Sequence, residues 1–112
     1  MSTRATIACA NEDGTFQATY LHYDGYPEFA GVILNQRFDS IEKVSALLAG
    51  GELRSLTSEA GGPEYLARAR PPKHVCDTRS LLEFACNCDA NYLYVFQNQT
   101  WQCQCWFSKT YR

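Results

Sequence analysis

His22, Asp24 and Glu28 stand within seven consecutive positions, in the run Tyr20-Leu21-His22-Tyr23-Asp24-Gly25-Tyr26-Pro27-Glu28. An imidazole with two carboxylates can do acid–base work or ligate a metal. The same residues also have a plain structural use. Asp24-Gly25 makes a turn, Tyr26 and Pro27 pack it, and Glu28 complements the N-terminus of a helix. A lone histidine is weak evidence for catalysis, whereas aromatics and acids on a loop suit recognition. His22, Asp24, Tyr26 and Glu28 are therefore read as binding residues, and a small enzyme built on His22, Asp24 and Glu28 ranks lowest. The chain has no Ser-His-Asp arrangement, phosphate-binding loop or dinucleotide fingerprint. A cysteine paired with His22 or His74 could act as nucleophile and base, but nothing local marks such a site.

Cys86-x-Cys88 and Cys103-x-Cys105 raise a second chemistry, a four-thiolate zinc site. Their spacing is tighter than that of zinc knuckles. On a strand, Cys103 and Cys105 share a face about 7 Å apart, while Cys86 and Cys88 at a helix end diverge. The expectation is mostly free, buried thiols without metal or cofactor, with zinc and disulfides as the alternatives. Cys9 and Cys76 have no patterned partner.

Arg68, Arg70, Lys73, His74 and Arg79 form the one charge asymmetry, with no acid between Glu64 and Asp77. Such a loop can hold phosphate, and the aromatics of a neighbouring hairpin, Trp101 among them, can stack a base. The competing reading is a solvated loop.

These groups must be positioned by two sheet-forming ends and a helical middle. Residues 3–10 and 15–23 alternate as strands around the turn Asn11-Glu12-Asp13-Gly14. Pro27 opens a helix that ends near Arg37 or Phe38. Asp39 with Glu42 reads as a capping box for a second helix, striped by Ile41, Val44, Leu47 and Leu48 and ended by Gly50-Gly51. Residues 57–74 read as a long loop with room for a helical turn over 64–69. Ser80 with Glu83 marks a short helix toward Cys86. Residues 91–107 form a closing hairpin. A turn at Asn98-Gln99 sets Phe96 opposite Trp101 and Tyr94 opposite Cys103. The expected fold is α+β: an antiparallel sheet from the N-terminal and C-terminal hairpins, with two to three helices packed on one face.

The 112 residues amount to a single domain, 1–112. Apolar residues make up 46% and charged residues 20%, which excludes wholesale disorder. The net charge of −2 excludes general DNA binding. Fifteen aromatics and six cysteines are the compositional oddities. No apolar run follows Arg4, the stretch 46–49 is too short to cross a bilayer, and no lipidation motif stands at either end. The expected place is the cytoplasm, with no membrane partner.

Four stretches resemble a largely uncharacterised family of small phage and prophage proteins. They are Ser2-Thr3-Arg4-Ala5-Thr6-Ile7, the Tyr20–Glu28 run, Glu42-Lys43-Val44 with Leu47-Leu48 and Gly50-Gly51, and Tyr92-Leu93-Tyr94-Val95-Phe96 with Trp101. Residues 57–88 do not match. The resemblance implies a phage accessory protein that acts on host defence or host machinery, and it transfers no catalytic residue. Together the residues and the resemblance point to a non-enzymatic inhibitor, anti-CRISPR-like in kind, that binds a host protein such as a nuclease complex. The alternative is a sponge for a nucleotide signal, held by Arg68, Arg70, Lys73 or Arg79 with the hairpin aromatics. A sponge often needs a homo-oligomer to enclose its ligand.

Overall fold

The computed structural model describes residues 3–57 and 61–105; Ser2, Trp106 and Phe107 lie outside the described residues. The chain runs β1 (Ala5–Ala10), β2 (Phe16–Leu21), a π-helical turn (Pro27–Gly31), α1 (Val32–Arg37), α2 (Ile41–Ala49), β3 (Leu53–Ser55), β4 (Glu64–Tyr65), β5 (Lys73–Val75), α3 (Thr78–Asn87), β6 (Tyr92–Gln97) and β7 (Thr100–Cys105). All seven strands join one sheet in the order β4-β3-β2-β1-β6-β7, with β5 also on β2.

Both hairpins form as the alternation predicts. β1 pairs antiparallel with β2, Ala5 opposite Leu21 and Ala10 opposite Phe16. β6 pairs antiparallel with β7, Phe96 opposite Trp101 and Tyr94 opposite Cys103. Asn98 and Gln99 carry φ of 55° and 66°. Those values fit a two-residue type I′ turn, whose twist matches that of the strands.

The sheet is mixed rather than antiparallel throughout. β1 and β6 run parallel, Ile7 opposite Tyr94, and β2 meets β3 in parallel at Leu21 and Leu53. Local alternation fixes each hairpin but not the direction in which two hairpins join. The direction follows from the crossovers: α1 and α2 return the chain to β3, and α3 returns it to β6.

The helices cover both faces, not one. On the first face Val44, Leu47 and Leu48 of α2 and Ile33 and Leu34 of α1 pack on Ala5, Ile7, Leu21, Tyr94 and Phe96. On the second face Leu81 of α3 packs with Ala8, Phe16, Ala18 and Leu93. β1 is therefore buried from Ala5 through Cys9 on both sides. Truncating Leu47, 2% exposed, to Ala would cost about 2–5 kcal/mol.

Helix starts differ by one to three residues from the capping patterns. Ser40, not Asp39, caps α2 by accepting from the Lys43 N–H at 3.3 Å, and Asp39 pairs with the Lys43 ammonium at 3.1 Å. Asp77, not Ser80, caps α3 by accepting from the Ser80 N–H at 2.8 Å. In each case a polar residue just upstream had the extended backbone a cap requires. The segment expected as a loop holds β4 and β5, and residues 64–65 are strand rather than helix. Among the described residues no helix is long and apolar enough to cross a membrane.

Candidate functional site

The run Asp24-Gly25-Tyr26-Pro27-Glu28 is held against the start of β1. Gly25 donates its N–H to the Thr3 carbonyl at 2.9 Å, and a Cβ there would stand 2.8 Å from the Ala5 Cβ. Only glycine fits so close to a neighbouring strand. Asp24 precedes it at φ 59°, a left-handed conformation that Asp tolerates. The Gly25 carbonyl then accepts from the Tyr94 hydroxyl at 2.6 Å. Burial pushes the ionisation of that phenol far up, so Tyr94 stays a neutral donor. This bond joins the turn to the closing hairpin, 69 residues away in sequence.

A second tie lies alongside. The Trp101 indole N–H donates to the Phe38 carbonyl at 2.8 Å, at the end of α1, and the ring stands 5.1 Å from Phe96. Between the two ties lies a groove of about 420 Å³. Pro27, Val32 and Gln36 line it from the helical side, and Tyr94, Trp101 and Cys103 from the sheet. None of its lining residues is charged. Val32 is 46% exposed and Tyr26 37%, so apolar surface continues out of the groove.

The groove borders a strand edge on which no further strand lies among the described residues. β7 is the last strand in the sheet order. Gln97 and Thr100 close the two-residue turn, so they form a hydrogen-bonded pair and alternate residues follow suit. Trp101, Cys103 and Cys105 therefore turn their backbone N–H and C=O groups outward. The strand offers six residues without a charge.

Of the residues singled out in sequence, Tyr26 and Trp101 come to this region. Asp24 and Glu28 are exposed on the turn beside it. His22 does not join them. Its Nδ1 lies 2.6 Å from the Tyr20 hydroxyl, whose oxygen also accepts from Arg4 Nε at 3.0 Å. Strand alternation puts Tyr20 and His22 on the sheet face opposite Leu21. Among the described residues no three His, Cys, Asp or Glu side chains gather as metal ligands.

The basic run disperses. Arg68 is exposed on the loop. Arg79 pairs along α3 with Glu83 at 3.9 Å. Arg70 is bound by Glu52, whose carboxylate accepts from the Arg70 backbone N–H at 3.1 Å and from its Nε at 3.0 Å. Arg70 and Lys73 line one pocket, together with Tyr20, Glu52, Phe84 and Asn87, and Lys73 and His74 line a neighbouring one with Glu83 and Phe84. β2 and β1 separate β5 from the closing hairpin. The cations thus meet Phe84 rather than Trp101. Glu52 was not a candidate in sequence, where a lone acid after two glycines carries no signal.

The cysteines are less buried than expected. Cys9 is buried and Cys88 partly so, while Cys76, Cys86, Cys103 and Cys105 are exposed. Cys103 and Cys105 are exposed because β7 is an edge strand that the helices cover only near Trp101. Burial raises the Cys9 and Cys88 thiols, which keeps them protonated and poorly nucleophilic.

No family model matches the chain, and no curated protein or solved structure matches it either.

Proposed function

We propose that the protein is a non-enzymatic binding protein that takes an extended segment of a partner protein onto β7 and into the groove beside it. The observation that carries this is the uncharged groove lying against an uncharged strand edge that is unpaired among the described residues. Main-chain hydrogen bonds to the outward groups of Trp101, Cys103 and Cys105 would supply affinity, and the groove would take an apolar side chain. The partner segment is therefore extended and apolar.

The resemblance to small phage proteins supports a host protein as that partner and inhibition of host defence as the outcome, in the host cytoplasm. The turn before α1, which carries the most specific part of the resemblance, is tied by Tyr94 to the closing hairpin, another of its stretches. An acid–base role for His22, Asp24 and Glu28 has no such support, since His22 is engaged with Tyr20.

The test is affinity capture from host lysate, followed by hydrogen exchange on the recovered complex. Slowed exchange at the amides of Trp101, Cys103 and Cys105 is expected. Equal capture by Cys103→Pro, which removes an outward N–H without touching the bonds to β6, sinks the reading.

A further inference from the structure

The outer edge of β2 is served by two different strands. β5 pairs with Phe16 through Ala18, and β3 takes over at Leu21. Thr19 and Tyr20 fall in the gap between them. The His22 N–H goes out to the Leu53 carbonyl at 3.0 Å, so the even-numbered residues of β2 face this edge. Tyr20 therefore turns its backbone N–H into the gap. Pro71 stands across from it, continuing the Ala18–Lys73 register; the parallel bridge at Leu21 and Leu53 uses the Tyr20 carbonyl, while the Tyr20 N–H makes no bond to a loop carbonyl on that side among the described residues.

The gap opens on a pocket of about 310 Å³ on the α3 side of the sheet. Its charged groups are Glu52, Arg70 and Lys73. Both Glu52 oxygens are spent on Arg70, one on the backbone N–H and one on Nε. That contact is made at Nε, on a side chain 83% exposed, and leaves the two terminal nitrogens without a partner among the described residues. Lys73 has no ion-pair partner among the described residues. Two cations against one carboxylate leave one net positive charge.

The end of α3 does not cancel it. Its Phe84, Ala85 and Cys86 carbonyls accept from the Cys88, Ala90 and Asp89 N–H groups, so the negative end of the helix is largely satisfied. Burial raises the Cys88 thiol, which keeps it neutral. Asn87 adds a side-chain amide, and the half-buried Phe84 ring with Pro71 supplies apolar wall.

We propose that this pocket binds a nucleoside monophosphate, its phosphate held by Lys73, Arg70 and the Tyr20 N–H and its base laid against Phe84. The volume suits one nucleotide and not two. The site lies on the α3 side, away from the groove at β7, and stands or falls independently of the protein-binding reading.

The test is a titration of the ¹⁵N-labelled protein with adenosine 5′-monophosphate, inorganic phosphate and adenosine. The monophosphate is expected to shift the Tyr20 and Asn87 amides, with phosphate weaker and adenosine inert. Lys73→Ala is expected to weaken monophosphate binding about tenfold, since it removes one of the two cations that hold the phosphate. Phe84→Leu is expected to weaken the monophosphate but not inorganic phosphate. Absence of shifts at millimolar monophosphate overturns the proposal, as do equal shifts with adenosine. Unchanged affinity in Lys73→Ala, with its spectrum still that of a folded protein, overturns it as well.

Discussion

The two ends of the sheet are finished in opposite ways. At one end β4 is two residues long, carries Glu64, follows Pro63, and pairs with β3 through a shifted register between Leu53 and Ser55. Arg54 and Glu64 add an exposed ion pair at 3.8 Å. Short length, charge, proline and irregularity are the usual devices that keep an edge from recruiting another strand. At the other end β7 is six residues long, in register along its whole length and without charge. The difference teaches which edge is guarded and which is offered. It also shows why the groove and the edge belong together, since Trp101 and Cys103 serve both.

The largest expected effect tests what holds the offered edge in place. Tyr94 is 2% exposed and bonds Gly25. Tyr94→Ala should cost about 3–5 kcal/mol in denaturant unfolding, and Tyr94→Phe about 1 kcal/mol. A Tyr94→Phe variant as unstable as Tyr94→Ala would show that the hydroxyl bond, not the packing, joins turn to hairpin. Next comes the edge itself. Cys103→Pro should lower partner affinity at least tenfold while leaving the circular dichroism spectrum unchanged. Glu64→Thr, at the guarded edge, should leave that affinity within about twofold, and a large loss there would reverse the comparison.

A smaller effect concerns α3, which covers the second face. The Ser80 N–H holds the Asp77 carboxyl below the usual carboxylate range. Its contribution is therefore present above the unfolded value of about 3.9 and is lost as pH falls through the lower folded value. Asp77→Ala should lower the melting temperature by a few degrees at pH 7, and the gap from wild type should narrow as pH falls below the unfolded carboxylate value. A gap that persists there would mean the cap acts through shape rather than charge. The smallest effect is expected at the exposed Lys43–Asp39 pair, whose removal should leave the chemical-denaturation midpoint unchanged.

The local parts of this structure were legible in sequence. Alternation around Asn98-Gln99 set Phe96 opposite Trp101 and Tyr94 opposite Cys103, and the register has both pairs. Of the stripe Ile41, Val44, Leu47 and Leu48, the last three are the buried face of α2, while Ile41 in its first turn is exposed. What failed was non-local or close to the limit of a pattern. The capping boxes at Asp39 and Ser80 were displaced because several polar residues could cap and only the backbone angles choose among them. β4 and β5 escaped notice because strands of two or three residues carry too few positions to show a period. The thiols were expected inside because cysteine is usually buried, but β7 stands at an edge.

The sequence by itself determined the two hairpins, the amphipathic helices and the tight Asp24-Gly25 turn, since each rests on interactions among near neighbours. Only the tertiary structure decided that the hairpins join in parallel, that helices cover both faces, and that the basic run splits so that Arg70 and Lys73 meet Glu52 and Phe84 instead of Trp101. Those outcomes depend on which strand edges meet after the crossovers close. Residues far apart in the chain leave no spacing in the sequence from which such a meeting can be read.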